Sequence, residues 1–375
     1  MSTNFRLYET RSREIVKFST ESDLVKIYTC GITPYEVTHM GHASTFIAYD
    51  VLQRRLRSLG YLTQCVRNVT DVDDDLLSRA RSLGVHYLDL AARSLAVFEE
   101  DMKALGLFPP HSEPRATSAI SEVRQLVGQV LDSGHAYISG GSVYFDVSTA
   151  PGFGELSSLT NEEMLQLASA SGGHPNDKNK RNKLDFVLWQ RSLPGEPEWT
   201  SRWGPGRPGW HIECSALALR AFGNTIDIHG GGSDLIFPHH ECEQAQSEAV
   251  TGKTFVKHWM HSGSVNFAGE KMSKSHGNLV FVSEIIKKWD PMVIRLAILS
   301  NHYRSSWEWD NELLVKAQER LNRWKKNDKK EAGFSEVGAC LDDDLDTQNA
   351  LKEIDRISTA GNNVSEAASL LGIFW

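Results

Sequence analysis

Residues Val25 to Cys30 alternate apolar and polar positions with the period of a half-buried strand, and a Gly/Pro turn, Gly31-Ile32-Thr33-Pro34, follows. Thr45 to Leu59 then carries the 3.6-residue period of a helix and stops at Gly60, a typical C-terminal glycine. Leu62 to Val69 reads as the next strand, giving a β-loop-α-β unit and hence a parallel sheet. Asp71 to Leu107 and Glu113 to Leu131 have helical periodicity, and Ala136 to Phe145 switches to short strands. Ser169 to Asn182 is polar and rich in Gly, Asn and Lys, which predicts a loop, and Gly204 to Gly209 is a second break. Beyond it the pattern resumes: helix at Ile212–Phe222, strand at Thr225–His229, helix at Glu241–Val250, strand at Phe255–His261. Helical stretches follow at Ser283–Ser300 and Asn311–Lys326, and the remaining polar segment holds two weaker ones.

The pattern predicts an α/β protein in which two halves of one nucleotide-binding fold are separated by an insertion and followed by a helical tail. The expected divisions are 1–125, 126–205 (inserted connective region), 206–288 and 289–375. In such sheets function gathers at the carboxyl ends of the strands, where the strand order reverses.

At 375 residues the chain is long enough for two or three packed units. Its hydrophobic fraction of 40% and charged fraction of 23% are ordinary for a globular protein. No apolar run approaches the ~18 residues of a membrane span. The N-terminus lacks a secretory layout, so a cytoplasmic location without membrane association is expected. A net charge of −8 argues against a broad nucleic-acid surface without excluding a local one. Five widely spaced cysteines make a disulfide framework improbable and leave one or two as possible metal ligands.

His39 and His42 stand three apart at the start of a helix, on one face of its first turn. A helix N-terminus offers free N–H groups and partial positive charge, a setting suited to phosphate. Downstream, Lys271-Met272-Ser273-Lys274-Ser275 places two lysines three apart in a loop bounded by Gly269 and Gly277. Two point charges on rotatable stems can close over a triphosphate and stabilise departing pyrophosphate. The His pair alone is more readily two surface histidines at a helix start, whereas a solvated Lys/Ser loop accounts for the composition of Lys271–Ser275 but not for the order of its residues.

Together, His39-Met40-Gly41-His42 and Lys271–Ser275 resemble the paired signatures of class I aminoacyl-tRNA synthetases, which form aminoacyl adenylates on a Rossmann-type fold. Cys30-Gly31-Ile32-Thr33, Arg207–Ser215 and Asp227–Asp234 leading to Phe237-Pro238-His239-His240-Glu241 are similar to cysteinyl-tRNA synthetase and to its close relative, the cysteine ligase of mycothiol biosynthesis. The resemblance runs from about residue 6 to about residue 325. It implies that Cys30, Cys214 and His239 hold one zinc ion, with Glu243 a possible fourth ligand. Two thiolates and an imidazole suit that metal. Zinc favours a soft thiolate and so separates cysteine from serine, which shape alone does only ~10²-fold. The resemblance further implies catalytic roles for His39, His42, Lys271 and Lys274, and ATP bound with Mg2+. It places Gly31, Ile32, Thr33, Thr45, Asn68, Val69, Thr70, Gly232, Ser233 and Asp234 against the adenylate, with Cys30 at the substrate. Trp210 would wall the amino-acid pocket and Val265 would meet adenine. For Val69, Trp210 and Val265 plain core packing is the competing reading.

Two acceptors fit this chemistry, the amine of glucosaminyl-inositol and the terminal ribose of tRNA. Pro34 and Ser44 are ligase-like, since synthetases usually carry a bulky apolar residue and an arginine there. Ser171-Gly172-Gly173-His174-Pro175 resembles the ligase segment ERGGDP with altered positions. The 45 residues after Lys330 are fewer than an anticodon-reading bundle needs. Glu243 and Lys180-Arg181-Asn182 are synthetase-like. The sequence thus favours an ATP-dependent, monomeric ligase acting on L-cysteine and glucosaminyl-inositol. A tRNA ligase with a shortened C-terminus and a non-catalytic binding paralogue are the alternatives.

Overall fold

The computed structural model describes every residue except Met1–Thr3, Glu36, Lys274–His276 and Asp328. At its centre lies a parallel four-stranded sheet in the order Val256–Ser262, Ile226–Gly232, Leu24–Ile32, Leu62–Val69. The chain enters at Leu24–Ile32, moves outward to Leu62–Val69, then crosses to the other side for Ile226–Gly232. The strand order therefore reverses between Leu24–Ile32 and Ile226–Gly232, whose carboxyl ends carry Cys30 and Gly230–Gly232.

Strand alternation decides which face each side chain joins. Val25 and Ile27 enter the core beneath helix Met40–Ser58, with Ala43, Phe46, Ile47 and Leu52. Tyr28 and Cys30 point to the opposite face, where helix Trp210–Phe222 lays Cys214, Leu217 and Ala218 against them. Two cysteines far apart in sequence thus meet because one ends a strand and the other lies on the helix covering that strand's face.

A second, antiparallel sheet is inserted between the two halves, in the order Ala136–Ser139, Ser142–Phe145, Phe186–Gln190, Arg207–Pro208. Its first hairpin turns through Gly140 and Gly141 at φ 59° and 85°, the left-handed pair that a two-residue hairpin needs. This sheet has its own core with Val143, Phe145, Leu188 and Trp189.

The structure refines several expected elements. Helix Met40–Ser58 begins earlier than the pattern showed, because His39 caps it. The expected helix from Asp71 is two helices, Asp74–Leu83 and Tyr87–Ala104, broken at Gly84 in the left-handed region. The stretch from Glu113 holds a short 3-10 turn, Ala116–Ala119, before helix Ile120–Asp132. Ser283–Ser300 divides into Val282–Ile286 and Pro291–Leu299, since a proline starts a helix more readily than it continues one. Helix Asn161–Ala170 overlaps the start of the expected loop, and the rest of that loop has no regular structure. The last segment forms three helices, Phe334–Leu341, Thr347–Thr359 and Ser365–Ser369.

That segment is tied to the Met40–Ser58 helix by ionic contacts. Arg55 grips Asp342 through two 2.8 Å bonds. Fully buried Arg295 pairs with Asp50 and donates to the Leu371 carbonyl at 2.7 Å. Asp50 also holds Arg54 at 2.6 Å, so each of these three buried charges has a partner. Among the described residues no helix is long and apolar enough to cross a membrane.

Candidate active site

The site occupies the carboxyl ends of the parallel strands. Gly31 follows Cys30 and donates its N–H to the Asn68 side chain at 2.9 Å. A Cβ at Gly31 would stand 1.6 Å from the Asn68 carbonyl oxygen, so only glycine lets the two strand ends approach this closely. Ile32 accepts from the Thr70 N–H at 3.0 Å, and the Asn68 amide donates to the Thr70 hydroxyl at 3.1 Å. The Thr33 hydroxyl donates to Asp73 at 3.2 Å. On the facing strand, Gly232 leads into the short turn Ser233–Leu235, and Thr45 is hydrogen-bonded to Ser262 at 2.7 Å. Val69 and Val265 are buried in the main core. Trp210 opens its helix with its ring 4.3 Å from that of His239.

Four buried side chains converge here: Cys30, Cys214, His239 and Glu243, with ligand atoms all within 4.8 Å of one another. The sulfurs are 3.9 Å apart. Two Zn–S bonds of about 2.3 Å at a tetrahedral angle require about 3.8 Å. Glu243 Oε1 lies 3.4 Å from the Cys30 sulfur and 3.0 Å from His239 Nε2. The donor set and its spacing fit a tetrahedral metal site. A hydrogen bond from Cys30 leads the influences that bring the Cys214 thiol down to about 6, while burial pushes Cys30 up. Against their burial, Glu243 is held down to about 2 by His229 and His239, and His239 is raised to about 10 by Glu243 and Cys214.

Further histidines surround the quartet. His229 Nδ1 donates to the Tyr28 carbonyl at 2.9 Å, and its Nε2 faces Glu243 Oε2 at 3.2 Å. His240 lies 3.2 Å from the Cys30 sulfur and 2.7 Å from His261, which is 2.7 Å from the Thr10 hydroxyl. His211 and His239 approach at 3.0 Å. His229, His240, Cys30 and Glu243 form a second quartet of possible donors. Spacing along the chain does not mark this shell; its one signal is that His211, His229 and His240 fall inside the strings that resemble the family.

The phosphate candidates lie beside it. His39 caps the Met40–Ser58 helix, its Nδ1 accepting from the Gly41 N–H at 3.1 Å. The imidazole proton must then sit on Nε2, which can donate it to a ligand. His42 stacks on it with ring centroids 3.8 Å apart, and its Nδ1 is buried without a partner among the described residues. Burial lowers His39 to about 2, helped by His42, and His42 to about 4. Both are neutral donors at pH 7.

Lys271 is placed differently from the expected free loop. It ends the short strand Glu270–Lys271, which pairs with Val265–Phe267 across a tight turn at Ala268 and Gly269. Its ammonium meets Asp234 at 3.0 Å. Asn278 staples the hairpin, accepting from the Ser273 N–H and donating to the Phe267 and Lys271 carbonyls. Just beyond, Val280 accepts from the Met40 N–H at 2.9 Å and Val282 donates to the Thr38 carbonyl at 3.0 Å. Backbone pairing thus joins the segment after the lysine string to the residues flanking His39. Lys274 lies outside the described residues.

Comparison with known proteins places these features in a lineage. The chain matches the family of tRNA synthetases class I (C), catalytic domain, over residues 16–319. It is 44% identical over 373 residues to the L-cysteine:1D-myo-inositol 2-amino-2-deoxy-alpha-D-glucopyranoside ligase of Thermobispora bispora, covering 98% of this chain and 92% of that protein. The ligase of the same name from Kribbella flavida is 43% identical over 377 residues, covering 98% and 93%. Among solved structures, methionyl-tRNA synthetase of Mycobacterium tuberculosis in complex with methionyl-adenylate superimposes with a TM-score of 0.67 at 16% identity, covering 90% of this chain and 82% of that one. That likeness shows the fold: a class I synthetase-like Rossmann domain with a helical C-terminal region. By the matched span and by its identity to these ligases, the chain belongs to the class I (C) tRNA-synthetase catalytic family, alongside the L-cysteine:1D-myo-inositol 2-amino-2-deoxy-alpha-D-glucopyranoside ligases.

Proposed function

We propose that the chain activates L-cysteine with ATP and Mg2+ as cysteinyl adenylate and transfers the cysteinyl group to the amine of glucosaminyl-inositol, releasing AMP and diphosphate. The observation that carries the first step is the buried Cys30–Cys214–His239–Glu243 quartet beside His39, His42, Asp234 and Lys271. The relatives' names carry the acceptor.

In this reading Cys30, Cys214 and His239, with Glu243 as fourth donor, hold zinc. When bound, zinc supplies a soft Lewis acid that prefers a thiolate to a hydroxyl, which distinguishes cysteine from serine. Trp210 walls the amino-acid pocket. Gly31, Ile32 and Thr33, with Thr45 and the Asn68–Thr70 strand end, line the adenylate site, and Gly232, Ser233 and Asp234 face the ribose. Val265 borders adenine. The Nε2–H of His39, the His42 imidazole, Lys271 and Lys274 stabilise charge passing onto pyrophosphate as the cysteine carboxylate attacks the α-phosphorus. This is catalysis by positioning and fixed dipoles, with no protein nucleophile. The division at residues 125, 205 and 288 and a monomeric, cytoplasmic enzyme belong to the same reading. Five free cysteines are in keeping with a reducing compartment.

A tRNA acceptor is the second reading, favoured by Glu243, the synthetase-like carboxylate, within the quartet. AMP release with cysteine and ATP, with either acceptor added, separates the two. The expected result is strong stimulation by glucosaminyl-inositol and none by tRNA; stimulation by tRNA alone would overturn the proposal.

A further inference from the structure

Transfer to an amine requires a group to take the nitrogen's proton, and none of the residues above does so. At the carboxyl ends of Leu24–Ile32 and Leu62–Val69, beside the adenylate residues, stand Asp71, Asp73, Asp74, Asp75 and Glu213. Most are committed. Asp71 accepts the Thr117 N–H at 2.8 Å and hydroxyl at 2.6 Å. Asp74 pairs with Arg207, which also binds Glu196 at 3.3 Å, and Asp75 accepts from the Tyr35 hydroxyl at 3.2 Å. Glu213 differs. It is fully buried, both carboxylate oxygens lack a hydrogen-bond partner among the described residues, and it lies within electrostatic reach of Asp73 and Asp71. Among the described residues Arg207, which acts on Glu213 electrostatically, is already engaged by Asp74 and Glu196. A ligand that donates hydrogen bonds completes this cluster.

Asp73 is the member best placed to act. It is partly exposed and caps helix Asp74–Leu83 by accepting from the Leu76 N–H at 2.8 Å with one oxygen. The other oxygen is oriented by the hydroxyl of Thr33, three residues beyond Cys30. Thr33 directly follows the strand Leu24–Ile32 that carries Cys30 and Gly31, so Asp73 touches the turn that leaves the residues assigned to the adenylate. Burial pushes Asp73 up to about 6, against the bonds from Leu76 and Thr33 and with Asp75 and Asp74 adding to the rise. A carboxyl so placed is ionised at neutral pH yet basic enough to take a proton.

We propose that Asp73 is the general base of the transfer step, an inference resting on the amino-sugar reading above. The neutral amine's lone pair attacks the cysteinyl carbonyl, and the nitrogen becomes positively charged in the tetrahedral adduct. Asp73 takes that proton, the carbonyl re-forms, and the C–O bond to phosphate breaks with its electron pair leaving on AMP. The proton on Asp73 passes to water before the next turnover.

The test is Asp73→Asn, which keeps the cap because asparagine caps as well as aspartate. Preformed enzyme-bound cysteinyl adenylate is mixed with glucosaminyl-inositol and amide formation is followed in a single turnover against pH. D73N is expected to lower transfer at least about 100-fold, while pyrophosphate exchange falls less than about tenfold. Below about pH 6 the wild-type rate should fall with a slope approaching two, since amine and Asp73 both protonate, and that of D73N with a slope of one. Equal loss in exchange and transfer, or unchanged transfer with the same slope, would overturn the role. Failure of the wild type to form amide at all would instead overturn the amino-sugar reading.

Discussion

Cys214→Ser is expected to lower cysteine-dependent pyrophosphate exchange by about 10³-fold and to abolish preference for cysteine over serine, with loss of bound metal. Removing an outer partner of a metal ligand already costs roughly 10–100-fold, and here a ligand itself is lost. The substitution is nearly isosteric and lies on the buried face of helix Trp210–Phe222, so the packing around Leu217 and Ala218 survives. The hydroxyl cannot replace the thiolate that, with Cys30, sets the 3.9 Å sulfur pair. Metal content by atomic absorption and exchange with both amino acids give the readout. Full selectivity in C214S would mean that the quartet does not hold the substrate's thiol.

His42→Ala is expected to reduce the kcat of exchange about 10²–10³-fold, the loss of one preorganised donor to developing phosphate charge. The KM for cysteine should change little, because the thiol is held at the other end of the site. Alanine is the strongest helix former, so the first turn of Met40–Ser58 keeps its shape. The cap also stays in place, because His39 Nδ1 accepts from the Gly41 N–H without help from His42. Steady-state exchange kinetics check this, and a raised KM with unchanged kcat would place His42 in uniform binding instead.

The legible part of this protein was its periodic part. Strand alternation at Val25–Cys30 and the helical stripe after His42 located the parallel sheet, and the two signature strings marked the strand ends at which the candidate site is assigned. What the pattern could not show depends on tertiary contact. His39 lengthens its helix by capping it, and Gly84 and Pro291 break long periodic stretches into separate helices. Lys271 belongs to a hairpin because Asn278 and the Val265–Phe267 strand hold it there. The histidine shell of the quartet draws His211, His229, His240 and His261 from a helix, two strands and a turn, so no linear spacing could reveal it. Cys30 and Cys214 were linked by chemistry and resemblance; the strand face and its covering helix give the physical reason they meet.

Acceptor choice is tested most directly by partition. Enzyme carrying radiolabelled cysteinyl adenylate is mixed with glucosaminyl-inositol and tRNA together, and the label is separated as amide or ester. The expected result is that all transferred cysteine appears in the amide with glucosaminyl-inositol. Label recovered as cysteinyl-tRNA, with no amide, would contradict it.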